Sequence, residues 1–274
     1  MKKIILSLAF LSSAFIAFET FADHSPEIMM RNMKAYSQLS ETGKLGSFDV
    51  NFEKFGDIPN SVKTAIANKE YDRLLADKFN LSAIVMRDGK VIYERYDTKR
   101  GIDNNTPLQG MSMSKTAVAA SVGSLLCSGQ IASLNDKAGR YSKFLASTPY
   151  GSVSIKNILQ MNSGVSPLGR GDEKRFNQKS RGMQKFAGNG DIREALNFYK
   201  SASRNPGSQM NYHSTDSLAL SVLVEEISGQ SLAKYFYTNL YKEFGEYNFM
   251  QWTSDKNGTT VSFSDLVMTA RDWA

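Results

Sequence analysis

Ser112 and Lys115 stand three residues apart at the point where an apolar helical pattern begins. Positions three apart lie on the same face of a helix, so the two side chains can meet. A serine hydroxyl is a weak nucleophile until a base accepts its proton, and a lysine whose pKa is lowered by partial burial can be that base. A helix N-terminus also favours an alkoxide or a tetrahedral oxyanion. The spacing indicates a nucleophilic Ser112; a capped helix start with a solvated lysine is the alternative.

A second polar stretch, PGSQMNYHSTDS, begins at Pro206 and leads into another helical pattern. It contains Tyr212, with Ser214 two residues later. A tyrosine phenol near a lysine ionises more easily and can pass a proton between a serine and a leaving group. Taken alone, Tyr212 is equally consistent with an ordinary partly buried aromatic residue.

Hydrophobic patterning predicts the elements that must position these residues. Two β-rich runs in residues 81–96 flank Asp88-Gly89, a dipeptide suited to a tight hairpin turn. Residues 166–190 are polar and rich in Gly, Lys and Arg, which predicts a long loop. Helical signals cover residues 61–78, a segment from Lys115 to a stop at Gly129, a short helix capped by Ser154 and ended by Gly164, residues 192–199 with Asp191 and Glu194 as a capping box, residues 215–228, residues 232–244, and a helical spacing of Leu266, Ala270 and Trp273.

The order of these elements indicates the fold class. Strands come first and a largely helical part follows, which is typical of an α+β fold or a two-lobed α/β arrangement and not of alternating βαβ units. We therefore expect an antiparallel sheet flanked by helices, with a mostly helical second lobe. At 274 residues the chain suits one large domain or two closely packed lobes.

Composition argues against several other classes of protein. The formal net charge is +6, but the basic residues are scattered and form no continuous stripe with aromatic residues, so no nucleic-acid partner is predicted. Cys127 is the only cysteine, so no intramolecular disulfide is possible, and we expect it to be a small buried apolar residue. One cysteine with His24 and His213 makes a structural zinc site implausible, and no metal or cofactor is predicted.

The N-terminus has the pattern of a secretory signal peptide. Lys2 and Lys3 precede an apolar run over residues 4–18, and small residues follow at Thr20 and Ala22. The run is short for a membrane span. We expect residues 1–22 to be a signal peptide cleaved after Ala22, and residues 23–274 to be a periplasmic or secreted domain without stable membrane insertion. An uncleaved membrane anchor is the alternative.

Together the motifs resemble those of the serine β-lactamase-related superfamily, in particular its branch of class C β-lactamases, D-alanyl-D-alanine carboxypeptidases, family VIII esterases and 6-aminohexanoate-dimer hydrolase. Four stretches carry the resemblance in order: the hairpin at residues 87–90, S-x-x-K at residues 112–115, SVSIKNILQMNSGV from Ser152, and PGSQMNYHSTDSLALSVLVEEISGQSLAKYF from Pro206. The resemblance implies a β-lactamase/transpeptidase-like fold and a serine hydrolase that cleaves an amide or ester of a small molecule or peptide.

The resemblance also assigns roles to individual residues. Ser112 would be the nucleophile that carries the acyl group, Lys115 its activating partner, and Tyr212 the general base and acid. Ser214 falls where many members have an asparagine, and its hydroxyl can hydrogen-bond the lysine or the substrate. His213 falls at a variable position and is expected to be a surface or wall residue without a catalytic role.

One expected motif does not occur in the sequence. The family's third motif, Lys/His-x-Gly on an edge strand, is expected beyond SFSDLVMTARDWA, the stretch at residues 262–274. We therefore expect a truncated version of a longer protein. Residues 23–274 alone are expected to be poorly soluble or partly unfolded, and nearly inactive towards ester and amide substrates. A cell-wall or peptide-binding module that keeps the fold without catalysis is the alternative function. The sequence determines neither the substrate nor the oligomeric state.

Overall fold

A computed structural model describes residues 44–45, 48–49, 51–56, 68–75, 80–165, 191–197, 201–245 and 249–274. The strands are β1 (Lys44–Leu45), β2 (Phe48–Asp49), β3 (Asn51–Phe55), β4 (Ser82–Arg87), β5 (Lys90–Tyr96), β6 (Leu108–Gln109), β7 (Met250–Ser254) and β8 (Leu266–Met268). The α-helices are α1 (Lys69–Leu75), α2 (Ser114–Cys127), α3 (Lys143–Ala146), α4 (Ile155–Leu159), α5 (Ser214–Ser228), α6 (Leu232–Phe236), α7 (Lys242–Phe244) and α8 (Ala270–Trp273).

The sheet that supports the candidate site has four strands in the order β3-β7-β8-β6. All of its pairings are antiparallel, with Trp252 opposite Leu266 and Gln109 opposite Val267. The strands β4 and β5 form a separate antiparallel hairpin, and β1 pairs with β2. Antiparallel strands combined with helices confirm the predicted α+β class.

The β4–β5 hairpin turns as its sequence predicts. Asp88 and Gly89 have φ values of 52° and 72°, both in the left-handed region. A two-residue turn with two positive φ values matches the right-handed twist of the strands it joins. The prediction from the Asp-Gly dipeptide is therefore confirmed.

The core forms where α2 packs against α5. The predicted apolar stripes of both helices are buried, with Val118, Val122 and Leu125 on α2 and Leu218, Val222 and Leu223 on α5 all inaccessible to solvent. Gly129 follows α2 with a φ of 76°, and Gly229 ends α5 with a φ of 68°, as expected for glycines that close helices. Both helices are confirmed, and each begins one residue before its predicted start, α2 at Ser114 and α5 at Ser214.

The other helix predictions are confirmed in part. The helix predicted at residues 61–78 is described only over residues 68–75, and this part contains α1, Lys69–Leu75. Ser154 caps α4 by accepting from Asn157 N, but α4 ends at Leu159 and not at Gly164. The helix predicted at residues 232–244 is interrupted by a π-helical turn at Tyr237–Tyr241. The predicted loop at residues 166–190 and the signal peptide at residues 1–22 lie outside the described residues.

Two local predictions are wrong. The helix predicted at residues 192–199 is a 3-10 helix, Ile192–Asn197, in its described part. Its first amide, Ile192 N, donates to the distant carboxylate of Asp255 at 2.7 Å. Leu266 lies in β8 and not on a helix shared with Trp273, because α8 begins only after Thr269, whose side chain accepts from Asp272 N.

Cys127 is exposed and not buried. It is the last residue of α2, beyond the part of the helix that packs against α5. No helix in the described part of the chain has both the length and the apolar character that are needed to cross a membrane.

The close contact between Gly110 and Trp273 gives a stability prediction. A Cβ on Gly110 would lie 2.0 Å from the Trp273 ring, whose Nε1 donates to Leu108 O at 3.0 Å. Gly110→Ala should lower the free energy of unfolding by roughly 1–3 kcal/mol, because the ring would have to move. Gly123, inside α2, has open space where a Cβ would stand, so Gly123→Ala should raise the free energy by about 1 kcal/mol. Urea unfolding measures both, and equal destabilisation by the two changes would contradict the packing.

Candidate active site

Ser112 lies in a short 3-10 turn, Met111–Met113, between β6 and α2. Met111 has a φ of 46°, an uncommon conformation for a residue other than glycine. The turn is tied down by Ser114, whose Oγ donates to Met111 O at 2.7 Å and accepts from Leu266 N at 3.1 Å. Strained backbone of this kind persists only where surrounding contacts hold it, and here β8 supplies them.

Lys115 reaches back along its helix to Ser112. Its Nζ lies 3.1 Å from Ser112 Oγ, as the three-residue spacing predicts. The same Nζ donates to the backbone carbonyl of Phe263 at 2.6 Å. The amine therefore has one contact with the candidate nucleophile and one with a fixed acceptor from the sheet side.

Tyr212, from the second polar stretch, lies beside Lys115. Its ring centroid lies 5.1 Å from Lys115 Nζ, within the range of a cation–π contact. Tyr212 is 49% exposed, so one side of the ring remains open to solvent. The structure thus brings together three of the four predicted site residues, Ser112, Lys115 and Tyr212.

The electrostatics of Lys115 favour its neutral form more than water would. Burial is the largest effect and lowers the pKa of Lys115 from its ordinary value of 10.5, because a low dielectric disfavours the ammonium. The side chains of Tyr212 and Asp265 oppose this effect and raise the pKa, but less than burial lowers it. A lysine with a lowered pKa supplies a lone pair at a lower pH than a solvated lysine does.

Ser214 and His213 are placed differently from the other predicted residues. Ser214 is the first residue of α5, and in the described ranges its side chain makes no hydrogen bond with Lys115. His213 is 5% exposed, so the expectation of a surface position is wrong. Its Nδ1 accepts from Thr215 N at 3.3 Å and caps α5, and burial lowers its pKa to about 4. The imidazole is therefore neutral near neutral pH and has a structural role.

A buried polar cluster supports the segment that carries Tyr212. The Tyr150 hydroxyl lies 2.8 Å from Thr215 Oγ1 and 2.8 Å from Asp216 Oδ1, and Ser163 Oγ donates to the same carboxylate at 2.8 Å. Burial raises the pKa of Asp216 to about 6. The cluster fixes the start of α5, which follows Tyr212 directly. Sequence reasoning missed it, and the Ser-Gly turn at Ser163 was the only signal that pointed to this position.

Phe263 and Asp265 were also missed. Phe263 contacts Lys115 through its backbone carbonyl, which every residue has, so the residue type does not indicate the contact. Asp265 is one of many acidic residues, and no motif distinguishes it. Across the residues that the structure describes, no three or more side chains of His, Cys, Asp or Glu form a group that could hold a metal ion.

A serine within reach of a partly buried lysine, beside a tyrosine and on an antiparallel sheet packed with helices, is the arrangement of the β-lactamase/transpeptidase-like class. Residues 72–261 match the family model Beta-lactamase, and the chain belongs to this family. No curated protein shows a significant match to the sequence.

Three solved structures share the fold. A Bacillus anthracis protein assigned as a 6-aminohexanoate-dimer hydrolase is 19% identical, with a TM-score of 0.60 over 88% of this chain and 66% of its own. A penicillin-binding protein from Bacillus halodurans is 15% identical, with a TM-score of 0.52 over 70% and 67%. An octameric penicillin-binding protein homologue from Pyrococcus abyssi is 19% identical, with a TM-score of 0.50 over 70% and 50%. The chain therefore spans between half and two thirds of these structures.

Proposed function

We propose that this protein is a serine hydrolase that cleaves an amide or ester through an acyl-enzyme on Ser112. The observation that supports this function best is the distance of 3.1 Å between Lys115 Nζ and Ser112 Oγ. Membership of the β-lactamase family and structural likeness to a protein assigned as a 6-aminohexanoate-dimer hydrolase agree with it. The substrate class is a small molecule or peptide with an amide or ester bond.

Acylation begins when neutral Lys115 accepts the proton of the Ser112 hydroxyl. A neutral amine has two N–H donors and one lone pair. One N–H donates to the Phe263 carbonyl at 2.6 Å, and Nζ lies 3.1 Å from Ser112 Oγ, close enough for the lone pair of the neutral amine to accept the serine proton. The serine oxygen attacks the carbonyl carbon, and the tetrahedral oxyanion forms at the N-terminus of a helix, where negative charge is favoured.

Tyr212 supplies the second proton transfer. Its half-exposed ring beside Lys115 leaves its hydroxyl access to the leaving group. The phenol donates a proton to the departing amine or alcohol as the acyl-enzyme forms, and later accepts one from the water that hydrolyses it. Lys115 returns its proton to the Ser112 oxygen as the acyl group leaves, which restores the neutral amine and the serine hydroxyl. The hydroxyl of Ser214, at the start of α5, contacts the bound substrate.

Export is part of the same proposal. Residues 1–22 are cleaved after Ala22, and the mature domain acts in the periplasm or outside the cell; the charged start and the apolar run of the sequence support this. N-terminal sequencing of the protein recovered from cells should begin at Asp23. Recovery with an intact Met1 in the membrane fraction would contradict cleavage.

A fluorophosphonate probe tests the nucleophile directly. The full-length protein should be labelled in a one-to-one ratio, with the adduct on Ser112 when the modified peptide is sequenced by mass spectrometry. Ser112→Ala should abolish labelling, because no other serine stands three residues before a lysine on this helix. An adduct on Ser114, or unchanged labelling of Ser112→Ala, would overturn the assignment.

Tyr212→Phe is the matched variant in this experiment. It keeps the ring over Lys115 but removes the phenol, so we expect turnover of an amide or ester to fall on the order of 100-fold while the fold is retained. Labelling of Ser112 without turnover of any ester or amide by the wild-type protein would favour a binding module that keeps the fold.

The role of Lys115 predicts a pH dependence. Only the neutral amine can accept a proton, and burial lowers its pKa from 10.5, so the labelling rate should rise with pH through a group that titrates below 10.5. Lys115→Arg should lose on the order of 100-fold or more, as Lys115→Ala does, because arginine keeps its proton. A flat profile from mildly acidic to mildly basic pH, or full activity of Lys115→Arg, would contradict this role.

A further inference from the structure

The backbone that holds Lys115 belongs to a buried segment, residues 262–265, just before β8. Phe263, Ser264 and Asp265 are each no more than 3% exposed. The indole of Trp252 anchors the segment, because its Nε1 donates to Ser264 O at 2.9 Å and to Val261 O at 3.1 Å. The segment begins directly after the residues that match the family model, which end at residue 261. It is therefore a feature that the family match does not cover.

Asp265 connects this segment to the turn of the nucleophile. Gln109 Nε2 donates to Asp265 Oδ1 at 2.7 Å. Gln109 is the last residue of β6, and the next residue, Gly110, donates its N–H to Leu266 O at 2.8 Å. These two contacts join Asp265 and Leu266, at the start of β8, to Gln109 and Gly110. Gln109 and Gly110 directly precede the 3-10 turn that contains Ser112.

The conformation of Asp265 makes its position unusual. Its φ is 72°, in the region where glycine is strongly favoured and aspartate is tolerated at a cost. The residue is also 2% exposed, and burial of a carboxylate is unfavourable unless it is paired or hydrogen-bonded. A glycine would avoid both costs, so the contacts of this carboxylate must offset them.

Two ionisable side chains act on the charge of Lys115, one from each side. Tyr212 approaches from the segment before α5, and Asp265 from the segment before β8. Tyr212 already has a place in the proposed proton transfers. Asp265 does not, although it lies between Phe263, whose carbonyl accepts from Lys115 Nζ at 2.6 Å, and Leu266, whose N–H donates to Ser114 Oγ at 3.1 Å. Its negative charge attracts the ammonium from this position.

We propose that Asp265 is a positioning residue for the Ser112–Lys115 pair: its carboxylate fixes Gln109 at the start of the nucleophile's turn, and its negative charge stabilises the ammonium form of Lys115. The inference rests on the proposed function, in which Lys115 is the base. The two effects oppose each other. The hydrogen bond to Gln109 favours acylation by holding the turn, whereas the charge delays the formation of the neutral amine until a higher pH.

Asp265→Asn separates the two effects. Asparagine has nearly the same shape and keeps an oxygen that accepts from Gln109, but it carries no charge. The midpoint of the pH profile for fluorophosphonate labelling should fall, because the ammonium form of Lys115 loses a stabilising negative charge. Below both midpoints the variant should label up to about tenfold faster than the wild type, and its plateau rate should stay within a few-fold.

Asp265→Gly is the second variant. It removes the charge and avoids any backbone strain that asparagine would have at the positive φ of this position. Glycine adopts this conformation without strain. Its midpoint should fall like that of Asp265→Asn, while its plateau rate should drop further because Gln109 loses its acceptor. If both folded variants keep the wild-type midpoint, the inference is overturned.

Asp272→Asn is the matched control. Asp272 is also buried, at 6% exposure, but its carboxylate accepts from the hydroxyls of Tyr241 and Thr269 at 2.7 and 2.9 Å. Its loss should lower the thermal stability without moving the midpoint of labelling. A shift as large as that of Asp265→Asn would show that any buried carboxylate has this effect and would overturn the specific role.

A direct titration distinguishes failure of this inference from failure of the proposed function. In the inactive Ser112→Ala protein, the Cε resonance of isotope-labelled Lys115 reports its protonation by NMR, and Lys115→Arg identifies the resonance. Asp265→Asn should lower the midpoint of this titration also. If the wild-type protein is not labelled at Ser112 but the midpoint of Lys115 falls, the function fails and the electrostatic link stands. An unchanged Lys115 titration overturns the inference whatever the activity.

Discussion

Lys115 carries its amine into a partly buried position between the hydroxyl of Ser112 and the carbonyl of Phe263. Burial destabilises the ammonium, while the neighbouring carbonyl, the Tyr212 ring and the Asp265 carboxylate stabilise it. The balance keeps the lysine close to the proton it would accept and lowers its pKa, which are the two properties a base requires. The Phe263 carbonyl and the Tyr212 ring both contact the amine in this position.

The sheet supplies the rigid support that this balance needs. The strands β6 and β8 pair directly before the turn that holds Ser112, and Ser114 joins the helix α2 to β8 through its hydroxyl. Met111 and Asp265 both have positive φ values and are held by neighbouring contacts. Strain at two points close to Ser112 is tolerated because paired strands and a packed helix over-determine the backbone there.

Local patterns were sufficient for much of the fold. The Asp88-Gly89 hairpin and the apolar stripes of α2 and α5 follow from turn chemistry and from helical periodicity, both of which act within a few residues. The same patterns failed at Ile192–Asn197, which forms a 3-10 helix, and at Leu266, which pairs with Trp252 in the sheet. At Leu266 the strand pairing, and not the helical spacing, determined the local conformation.

The sequence by itself indicated that Ser112 and Lys115 meet, because residues three apart in helical backbone share a face, and the 3-10 turn of Ser112 leads directly into α2. It also indicated Tyr212 as their partner, but only through the resemblance of the whole motif set. The tertiary structure alone decided what surrounds the amine. The carbonyl of Phe263 lies 148 residues further along the chain, and Asp265 contacts Gln109 across 156 residues. These contacts depend on how β8 pairs with β6 and how α2 docks on the sheet, and no local rule of the chain specifies that register.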